Sequence, residues 1–370
     1  MKILFISSWF PNKLEPTNGN FVQRHAEAVA LLHDVEILHA IGDPSQKEQF
    51  IFDDSVNNGI RTLIVYYKGS KSSVLNFKNR MLAYKKGFLK LQKPDLIHGN
   101  VLHNSMLFAV YLKGKYKIPF VISEHWADFL EVNRASLSFT SLLIARFIAN
   151  KASYLLPVSE ILMKDLKDLK IGKKFRVIGN VVDTDLFFPQ NDQNDTFIFL
   201  HISNLVSLKN PDKMIEVAVR LRKEFQNFEF HIGGDGDIES LQQIIETYNA
   251  QEYIHVFGEL SHKEVAEKMR RSDCFVLFSD YESFCCVLPE SLSSGVPVIA
   301  TNVGAIPEVV GENHGILIDK SEEKLYTAMK EMLCRQYTSY SKEELHGYVV
   351  ERFSLSKIAE EFNKVYKSVI

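Results

Sequence analysis

Short apolar runs alternate with amphipathic stretches along almost the whole chain, and this alternation limits the possible folds more than any other feature. The pattern begins with KILFIS (2–7), a helix-like stretch from Gly19 to Leu32 and DVEILHA (34–40), and it restarts at FIFLHIS (197–203). Continuous apolar runs are typical of strands buried in a parallel sheet, and amphipathic stretches between them are typical of crossover helices. The sequence therefore predicts an α/β fold with two Rossmann-like, doubly wound parallel-sheet domains.

The boundary between these domains is predicted near Pro189, where the polar segment 190–195 interrupts the pattern. A chain of 370 residues with 46% hydrophobic residues can form two cores. We predict an N-terminal domain at 1–189 and a C-terminal domain at 190–354. The final helical stretch, 355–370, is predicted to pack back on the first domain. The cleft between the domains is the expected active site.

Cysteine usage and the N-terminus indicate a cytoplasmic protein. The four cysteines form no Cys-x-x-Cys pattern, so neither a zinc site nor a redox motif is indicated. The apolar run before Pro11 is too short for a signal peptide, and no apolar run approaches the length of a membrane span.

Charge is spread unevenly along the chain. Residues 1–183 contain 25 Lys and Arg against 16 Asp and Glu, whereas residues 184–370 contain 18 against 30. The basic half is expected to face an anionic partner, such as a phosphate-bearing acceptor or a lipid surface; nucleic acid is not expected. The basic stretch from Asn76 to Gln92 has the composition of a helix on the inner membrane face, and an ordinary amphipathic helix packed on the sheet fits equally well.

One segment, Ser279 to Glu308, places two glutamates between two buried strands. It follows the run CFVLF (274–278), contains VPVIAT (296–301), and carries Glu282 and Glu290 on the turn and helix between them. Spacing alone is uninformative, because four other glutamate pairs are also eight residues apart: 216/224, 259/267, 323/331 and 343/351. The position matters more. Carboxylates accept hydrogen bonds from sugar and ribose hydroxyls, and the free N–H groups at the start of a helix bind phosphate.

On these residues the chain resembles the retaining glycosyltransferases of family 4, which have the GT-B fold, and the resemblance covers nearly the whole chain. It implies that Glu282 approaches the hydroxyls of the donor sugar and that Glu290 binds the nucleotide ribose. The loop and helix start between them offer backbone N–H groups to the donor. This loop comprises Ser283, Phe284, Cys285, Cys286 and Val287, and Cys285 stands where the family usually has glycine.

The resemblance implies further donor contacts on two other loops. In SNLVSLKN (203–210), Lys209 matches the family lysine at the pyrophosphate, whereas Asn204 replaces an arginine. Either another cation compensates for that loss, with Arg24, Arg134 and Lys173 as candidates, or turnover is weakened. Gly234, in GGDGD (233–237), fits the turn beside the nucleotide base.

In the first domain, the resemblance assigns one catalytic residue and several acceptor contacts. His125, in VISEHWADF, matches the histidine that contacts the donor sugar near the reacting carbon, and it joins Glu282 and Lys209 as a predicted catalytic residue. His25 fits a core position as well as a ligand position. The predicted acceptor contacts are Gly19 and Asn20 of a glycine-containing loop, and Trp126 and Asp128, with Glu124 as a further candidate.

The implied function is transfer of a sugar, with retention of configuration, from a nucleotide-diphosphate sugar to a glycan or lipid-linked acceptor. Synthesis of cell-surface polysaccharide or glycolipid is the expected setting. No cofactor and no metal are expected, because the acidic pairs Asp183/Asp185 and Asp235/Asp237 are no more than composition predicts. Two alternatives stay open: a non-catalytic homologue that binds sugar nucleotides, and a GT-B epimerase, which would need acid and base groups beyond His125 and Glu282.

Overall fold

The computed structural model describes residues 1–190, 195–338 and 340–370, with every side chain in these ranges except that of Ser136. Two compact units are present: Met1–Val181 together with Leu355–Ile370, and Val182–Ser354. The division falls before the predicted boundary at 189/190, because the N–H of Val182 donates to the carbonyl of Phe353 at 2.9 Å within the second unit. Most of the predicted linker, residues 191–194, lies outside the described residues.

A seven-stranded sheet lies at the centre of the first unit. Its strands are β1 (Lys2–Ser7), β2 (Asp34–Asp43), β3 (Phe50–Asn57), β4 (Ile60–Lys68), β5 (Leu96–Asn100), β6 (Phe120–Glu124) and β7 (Tyr154–Pro157). Their spatial order is β3-β4-β2-β1-β5-β6-β7, and every pair is parallel except β3 with β4. The strand β3 was not predicted, since the exposed Asp53 and Asp54 interrupt its apolar run at the sheet edge.

Helices cover the sheet of the first unit: α1 (Asn20–Ala30), α2 (Ser73–Phe88), α3 (Leu107–Tyr116), α4 (Phe139–Ala149), α5 (Glu160–Asp168) and a C-terminal helix (Leu355–Val369). The C-terminal helix packs on α1. It buries Ile358, Phe362 and Val365, which recur at helical spacing and join the same core as Val22 and Val29. The helix α3 was not predicted, because its apolar residues follow no clear amphipathic period.

The second unit contains a six-stranded, fully parallel sheet. Its strands are β8 (Phe197–Ser203), β9 (Phe228–Gly234), β10 (Ile254–Phe257), β11 (Cys274–Leu277), β12 (Val298–Thr301) and β13 (Gly315–Ile318), in the order β10-β9-β8-β11-β12-β13. The helices are α6 (Pro211–Arg222), α7 (Ile238–Thr247), α8 (His262–Arg270), α9 (Val287–Ser293), α10 (Ile306–Val309), α11 (Glu322–Leu333) and α12 (Lys342–Phe353).

The predicted fold class is confirmed, since both units are doubly wound α/β structures. In the second unit the chain leaves β8 toward β9 on one side, and β11 lies on the other side of β8. Open α/β sheets bind ligands at the carboxyl ends of the strands where the strand order reverses in this way. The loops after β8 and β11 therefore form the candidate ligand site of this unit. Among the described residues, no helix combines the length and the apolar character needed to cross a membrane.

Candidate functional site

The loops that follow β8 and β11 are tied together by hydrogen bonds. The side chain of Asn210 donates to the carbonyl of Phe278 at 3.0 Å and to the carboxylate of Asp280. The backbone N–H of Asp280 in turn donates to the carbonyl of Leu208 at 2.8 Å. Asn210 has a φ of 49° just before α6, a left-handed conformation that asparagine tolerates better than most residues. These contacts fix the two loops against each other.

Lys209 and Glu282 form an ion pair where these loops meet. Their side chains are only 14% and 10% exposed, and Lys209 Nζ donates to Glu282 Oε1. Burial lowers the pKa of Lys209, but the adjacent Glu282 carboxylate raises it, and the net shift is upward. The lysine therefore stays charged. The other carboxylate oxygen, Oε2, has no hydrogen bond within the described part of the chain.

Gly304 fixes the backbone of Glu282 from the opposite side. The N–H of Ala305 donates to the carbonyl of Glu282 at 3.0 Å. A side chain at position 304 would place its Cβ 2.1 Å from that carbonyl oxygen, and the φ of 53° also favours glycine. The contact of Gly304 with Glu282 depends on folding, and the spacing of the two residues in the sequence gives no sign of it.

The loop from Ser283 to Val287 leads from Glu282 into α9. Phe284 is buried and its ring lies edge-on to that of Phe353, with centroids 5.6 Å apart. Cys285 has a φ of 67°, in the left-handed region that glycine adopts most easily. Burial and the neighbouring Glu282 carboxylate raise the pKa of the Cys285 thiol, which is therefore protonated at neutral pH. The cysteine thus adopts a backbone conformation suited to the glycine expected at this position.

Glu290 lies in α9, with its side chain 5% exposed. Its Oε1 is 3.6 Å from Nε2 of His262, the first residue of α8. Of the five glutamate pairs spaced by eight residues, Glu282/Glu290 alone has both members buried. His262 was not predicted as a site residue, because it precedes the motif by twenty residues and has no distinctive neighbours.

The other predicted donor residues lie at the carboxyl ends of β8 and β9. Asn204 is exposed directly after β8. Gly234 has a φ of 145°, and a Cβ there would approach the carbonyl oxygen of Ser203 to 1.6 Å. A Cβ on Gly236 would meet the Asn204 carbonyl oxygen at 2.6 Å. The glycines of GGDGD therefore allow the turn after β9 to press against the loop that carries Asn204 and Lys209.

In the first unit, the loop after β1 closes against the start of α1. Gly19 precedes that helix with a φ of 77°, and a Cβ there would lie 2.5 Å from the backbone of Trp9. Asn20 is exposed at the first position of the helix, and no side chain caps this end of α1. The helix start therefore retains the N–H groups that an anion would bind.

His125 lies in a buried cluster of rings at the carboxyl end of β6. The ring of Phe21 is 4.2 Å away and that of His25 is 5.3 Å away, measured between centroids. Burial, together with repulsion by His25 and His98, holds the pKa of His125 well below its ordinary value. Neither ring nitrogen has a hydrogen bond of normal geometry within the described residues. The side chain of Asn180 interacts with the ring and opposes this pKa shift, and His125 remains a neutral imidazole.

The carboxylate of Glu124 is bonded to backbone N–H groups and is not available to contact the acceptor substrate. The carboxylate is fully buried and accepts hydrogen bonds from the N–H groups of Leu102, His125 and Trp126 at 2.6–2.8 Å. Burial raises the pKa of Glu124 to about 7, against the effect of these donors. Trp126 and Asp128 remain half-exposed beside it. The expectation for Glu124 is therefore corrected, since it fixes the loop that carries the other two.

The three cations considered as replacements for the missing arginine all lie in the first unit. Arg134 pairs with the buried Asp165 at 2.9 Å and is committed to that contact. Arg24 donates to the carbonyl of Val181 at 3.5 Å, and Lys173 is exposed. Arg134 is thus a poor candidate for the compensating role.

Two family models match the chain and together span nearly all of it. Residues 19–186 match the model "Glycosyltransferase Family 4", and residues 182–342 match "Glycosyl transferases group 1". The chain belongs to family 4 of the glycosyltransferases.

Named relatives agree with this assignment. The family 4 chain is 30% identical over 197 residues to a subunit of human phosphatidylinositol N-acetylglucosaminyltransferase, an alignment that spans 52% of this chain and 41% of that protein. It is 24% identical to an uncharacterised glycosyltransferase of Methanocaldococcus jannaschii over 100% of this chain and 99% of the other. The chain thus spans less than half the length of the human relative.

The fold of this family 4 glycosyltransferase is GT-B. The structure of Anabaena HepE in complex with UDP and glucose matches it with a TM-score of 0.77 and 18% identity, covering 100% of both chains. At this identity the likeness shows the fold alone.

Proposed function

We propose that this family 4 glycosyltransferase transfers a sugar from a nucleotide-diphosphate sugar to a hydroxyl of a glycan or lipid-linked acceptor, on the cytoplasmic side of a membrane. The Lys209–Glu282 ion pair beside the start of α9 carries this proposal. We further propose retention of configuration, no requirement for metal, and a role in cell-surface polysaccharide or glycolipid synthesis. UDP and glucose bound to HepE support a nucleotide-sugar donor, and the name of the human relative supports a lipid-linked acceptor.

The second unit supplies groups for each part of the donor. Lys209 offers a point charge to the diphosphate. The start of α9 has no side-chain cap, but Leu288 already donates to the carbonyl of Cys285 and Pro289 has no N–H, so the helix start adds little beyond the N–H of Val287. Oε2 of Glu282 is available to the sugar hydroxyls, and Glu290 beside His262 offers a buried carboxylate to the ribose. A helix of two turns contributes a modest dipole, so Lys209 is the principal cation of this set.

The chemistry needs no protein base. In retaining transfer on one face of the sugar, the bond between the anomeric carbon and the diphosphate oxygen breaks while the acceptor oxygen bonds to that carbon. The acceptor proton passes to the leaving phosphate. His125, being neutral, would hydrogen-bond a sugar hydroxyl and would not add positive charge to the leaving group. Trp126 and Asp128 offer an apolar platform and a hydroxyl acceptor to the acceptor substrate.

Incubation with a panel of nucleotide sugars and lipid-linked acceptors tests the proposal. We expect release of nucleoside diphosphate with one donor, a product of retained configuration by NMR, and an unchanged rate in EDTA. Glu282→Gln should abolish transfer, whereas Glu267→Gln, an exposed glutamate of one of the other eight-residue pairs, should not. An inverted product or loss of activity in EDTA would contradict the proposed mechanism.

A non-catalytic sugar-nucleotide-binding role is the second candidate, and Asn204 favours it. Without the arginine, the described loop after β8 offers only Lys209 as a cation, and that charge is already paired with Glu282. Saturable binding of a nucleotide sugar without release of nucleoside diphosphate, across the whole panel, would support this role over transfer.

We also propose that the first unit contacts an anionic lipid surface through α4. Phe139, Leu143 and Phe147 recur every four residues and are 72%, 46% and 49% exposed, so they form one apolar stripe. Lys151 lies over the Phe147 ring at 6.0 Å and places positive charge at the border of the stripe. The predicted basic helix, α2, packs on β2 and β4 as an ordinary amphipathic helix does.

Sedimentation with phosphatidylglycerol vesicles tests this contact. We expect binding that weakens on replacement of the three stripe residues by serine and that falls with added salt. Val56→Ser is the matched control, since Val56 is 69% exposed on the edge strand of the same unit. Equal binding of the triple variant and the control would exclude α4 as the contact.

A further inference from the structure

Two histidines and a glutamate converge on β9 and β10 of the second unit. Glu229 and His231 are two residues apart on β9 and therefore face the same side of the sheet. His255 on β10 is directly opposite His231 in the parallel register. This pairing brings one ligand atom from each side chain within 4.8 Å of the others.

The distances within this cluster suit a shared ion. Nε2 of His231 lies 2.8 Å from Oε2 of Glu229, and Nε2 of His255 lies 3.5 Å from the same oxygen. The ring centroids of the two histidines are 5.1 Å apart. Ligand atoms around a tetrahedral zinc ion lie about 2.0–2.2 Å from the metal, so small side-chain rotations would bring all three into its coordination sphere.

The position on the sheet keeps the cluster open to solvent. Phe228, Phe230 and Ile232, which alternate with the two β9 ligands, point into the hydrophobic core. The three side chains lie on the other face of the sheet, beside the edge strand β10. The side chains of Glu229, His231 and His255 are 35%, 21% and 44% exposed. A metal ion can therefore enter from solution, and water can complete its coordination.

The types of ligand atom in this cluster determine which class of metal ion fits it. We propose that Glu229, His231 and His255 bind one divalent transition-metal ion of the zinc type. Two imidazoles and one carboxylate suit zinc, cobalt or nickel, whereas magnesium and calcium prefer sites built from oxygen alone. His231 and His255 each offer one ring nitrogen to the ion, and Glu229 offers one carboxylate oxygen. Lys268 interacts electrostatically with His231, and its positive charge opposes metal binding.

The ion would brace the edge of the sheet and take no part in transfer. The cluster lies on β9 and β10, whereas Lys209 and Glu282 follow β8 and β11. An ion held by both β9 and β10 links the edge strand to its neighbour. The metal site is independent of the proposed transfer activity, since it concerns stability and metal content alone.

Titration of the chelator-treated full chain with Zn²⁺, and with Co²⁺ for its visible absorption, tests the site. We expect one equivalent to bind with a dissociation constant of about 1 μM or tighter, and the melting temperature to rise with saturation. His231→Ala and His255→Gln should each weaken binding by at least about tenfold. His33→Ala, a half-buried histidine of the first unit, is the control and should bind as the unaltered chain does.

Two results would overturn the inference. One is the absence of saturable binding by the unaltered chain. The other is one-equivalent binding that is unchanged in both His231→Ala and His255→Gln, since the ion would then lie elsewhere. His255 is the more exposed ligand, so its glutamine variant keeps the test valid if His231→Ala does not fold.

Discussion

Replacing Glu282 by glutamine leaves the Lys209 ammonium buried without its counter-ion. The two side chains are 14% and 10% exposed, so solvent screens them only partly. Removing one partner of a buried ion pair costs about 3–5 kcal/mol, and the residual exposure places this pair near the lower end, about 3 kcal/mol. A loss of that size lowers the melting temperature of a domain of 150–250 residues by roughly 6–12 °C.

The assay is a double-mutant cycle with Glu282→Gln, Lys209→Met and the combined variant, followed by thermal unfolding. Because the combined variant has no unpaired buried charge, its loss should be smaller than the sum of the single losses by about 2–3 kcal/mol. Titration with a nucleoside diphosphate separates the two roles. Lys209→Met should weaken binding by about tenfold or more, equivalent to about 1.4 kcal/mol, whereas Glu282→Gln should not weaken it because Lys209 is then unpaired.

The neighbouring pair Lys320–Asp280 is the matched control. Its ammonium and carboxylate are 2.7 Å apart but 42% and 35% exposed, so Lys320→Met should change stability by no more than about 1 kcal/mol. If Glu282→Gln and Lys209→Met each cost as little as Lys320→Met and their effects add, then the Lys209–Glu282 pair is an ordinary surface pair and the reasoning fails.

Gly304→Ala should destabilise the second unit by more than about 2 kcal/mol and weaken sugar-nucleotide binding, because its Cβ would meet the Glu282 carbonyl at 2.1 Å. The control in the melting assay is Gly59→Ala, since Gly59 has a φ of 78° and open space around it. An equal loss of stability in both variants would refute the clash. Cys285→Gly should leave stability unchanged or raise it by up to about 1 kcal/mol, since it removes a left-handed cysteine at φ 67°; a melting temperature well below that of the unaltered chain would contradict this. Burial lowers the pKa of His25 from 6.5 to about 4, so as pH falls the histidine binds a proton in the unfolded chain before it does so in the folded chain. The contribution of neutral His25 to the free energy of unfolding is therefore fully present above pH 6.5 and is lost as the pH falls toward 4. His25→Phe should therefore reduce the loss of unfolding free energy between pH 7 and 4 by about 3 kcal/mol, and an unchanged pH profile in denaturant titrations would refute this.

Strands buried inside the sheets could be predicted because burial alone determines their sequence. The strands β8 and β11 lie inside a parallel sheet and read as unbroken apolar runs. The edge strand β3 is half-exposed, and its two aspartates interrupt the apolar run by which a strand would be predicted. The Asn58-Gly59 turn that joins β3 to β4 is nevertheless a sequence typical of a β-hairpin. The helix α3 lacks amphipathic periodicity, so no sequence period could reveal it.

Site residues close together in the sequence could be predicted, and those brought together by folding could not. The positions of Glu282 in the loop after β11 and of Glu290 in α9 follow from one local pattern. His262 and Gly304 come from other elements and reach the glutamates only through the sheet topology. Glu124 looked like a ligand at a strand end, but its three backbone donors are visible only in three dimensions.

Asn204 and the Lys209–Glu282 pair together determine how much positive charge this loop can offer a diphosphate. An arginine at position 204 would leave the loop with a net positive charge, whereas here Glu282 offsets the charge of Lys209. A diphosphate that binds Lys209 must therefore compete with Glu282. When the diphosphate displaces the carboxylate from Lys209, Glu282 is released from its ion pair. The released carboxylate lies at the loop where the sugar hydroxyls of a donor are proposed to bind. The loss of one cation thus couples recognition of the diphosphate to the availability of Glu282 for the sugar.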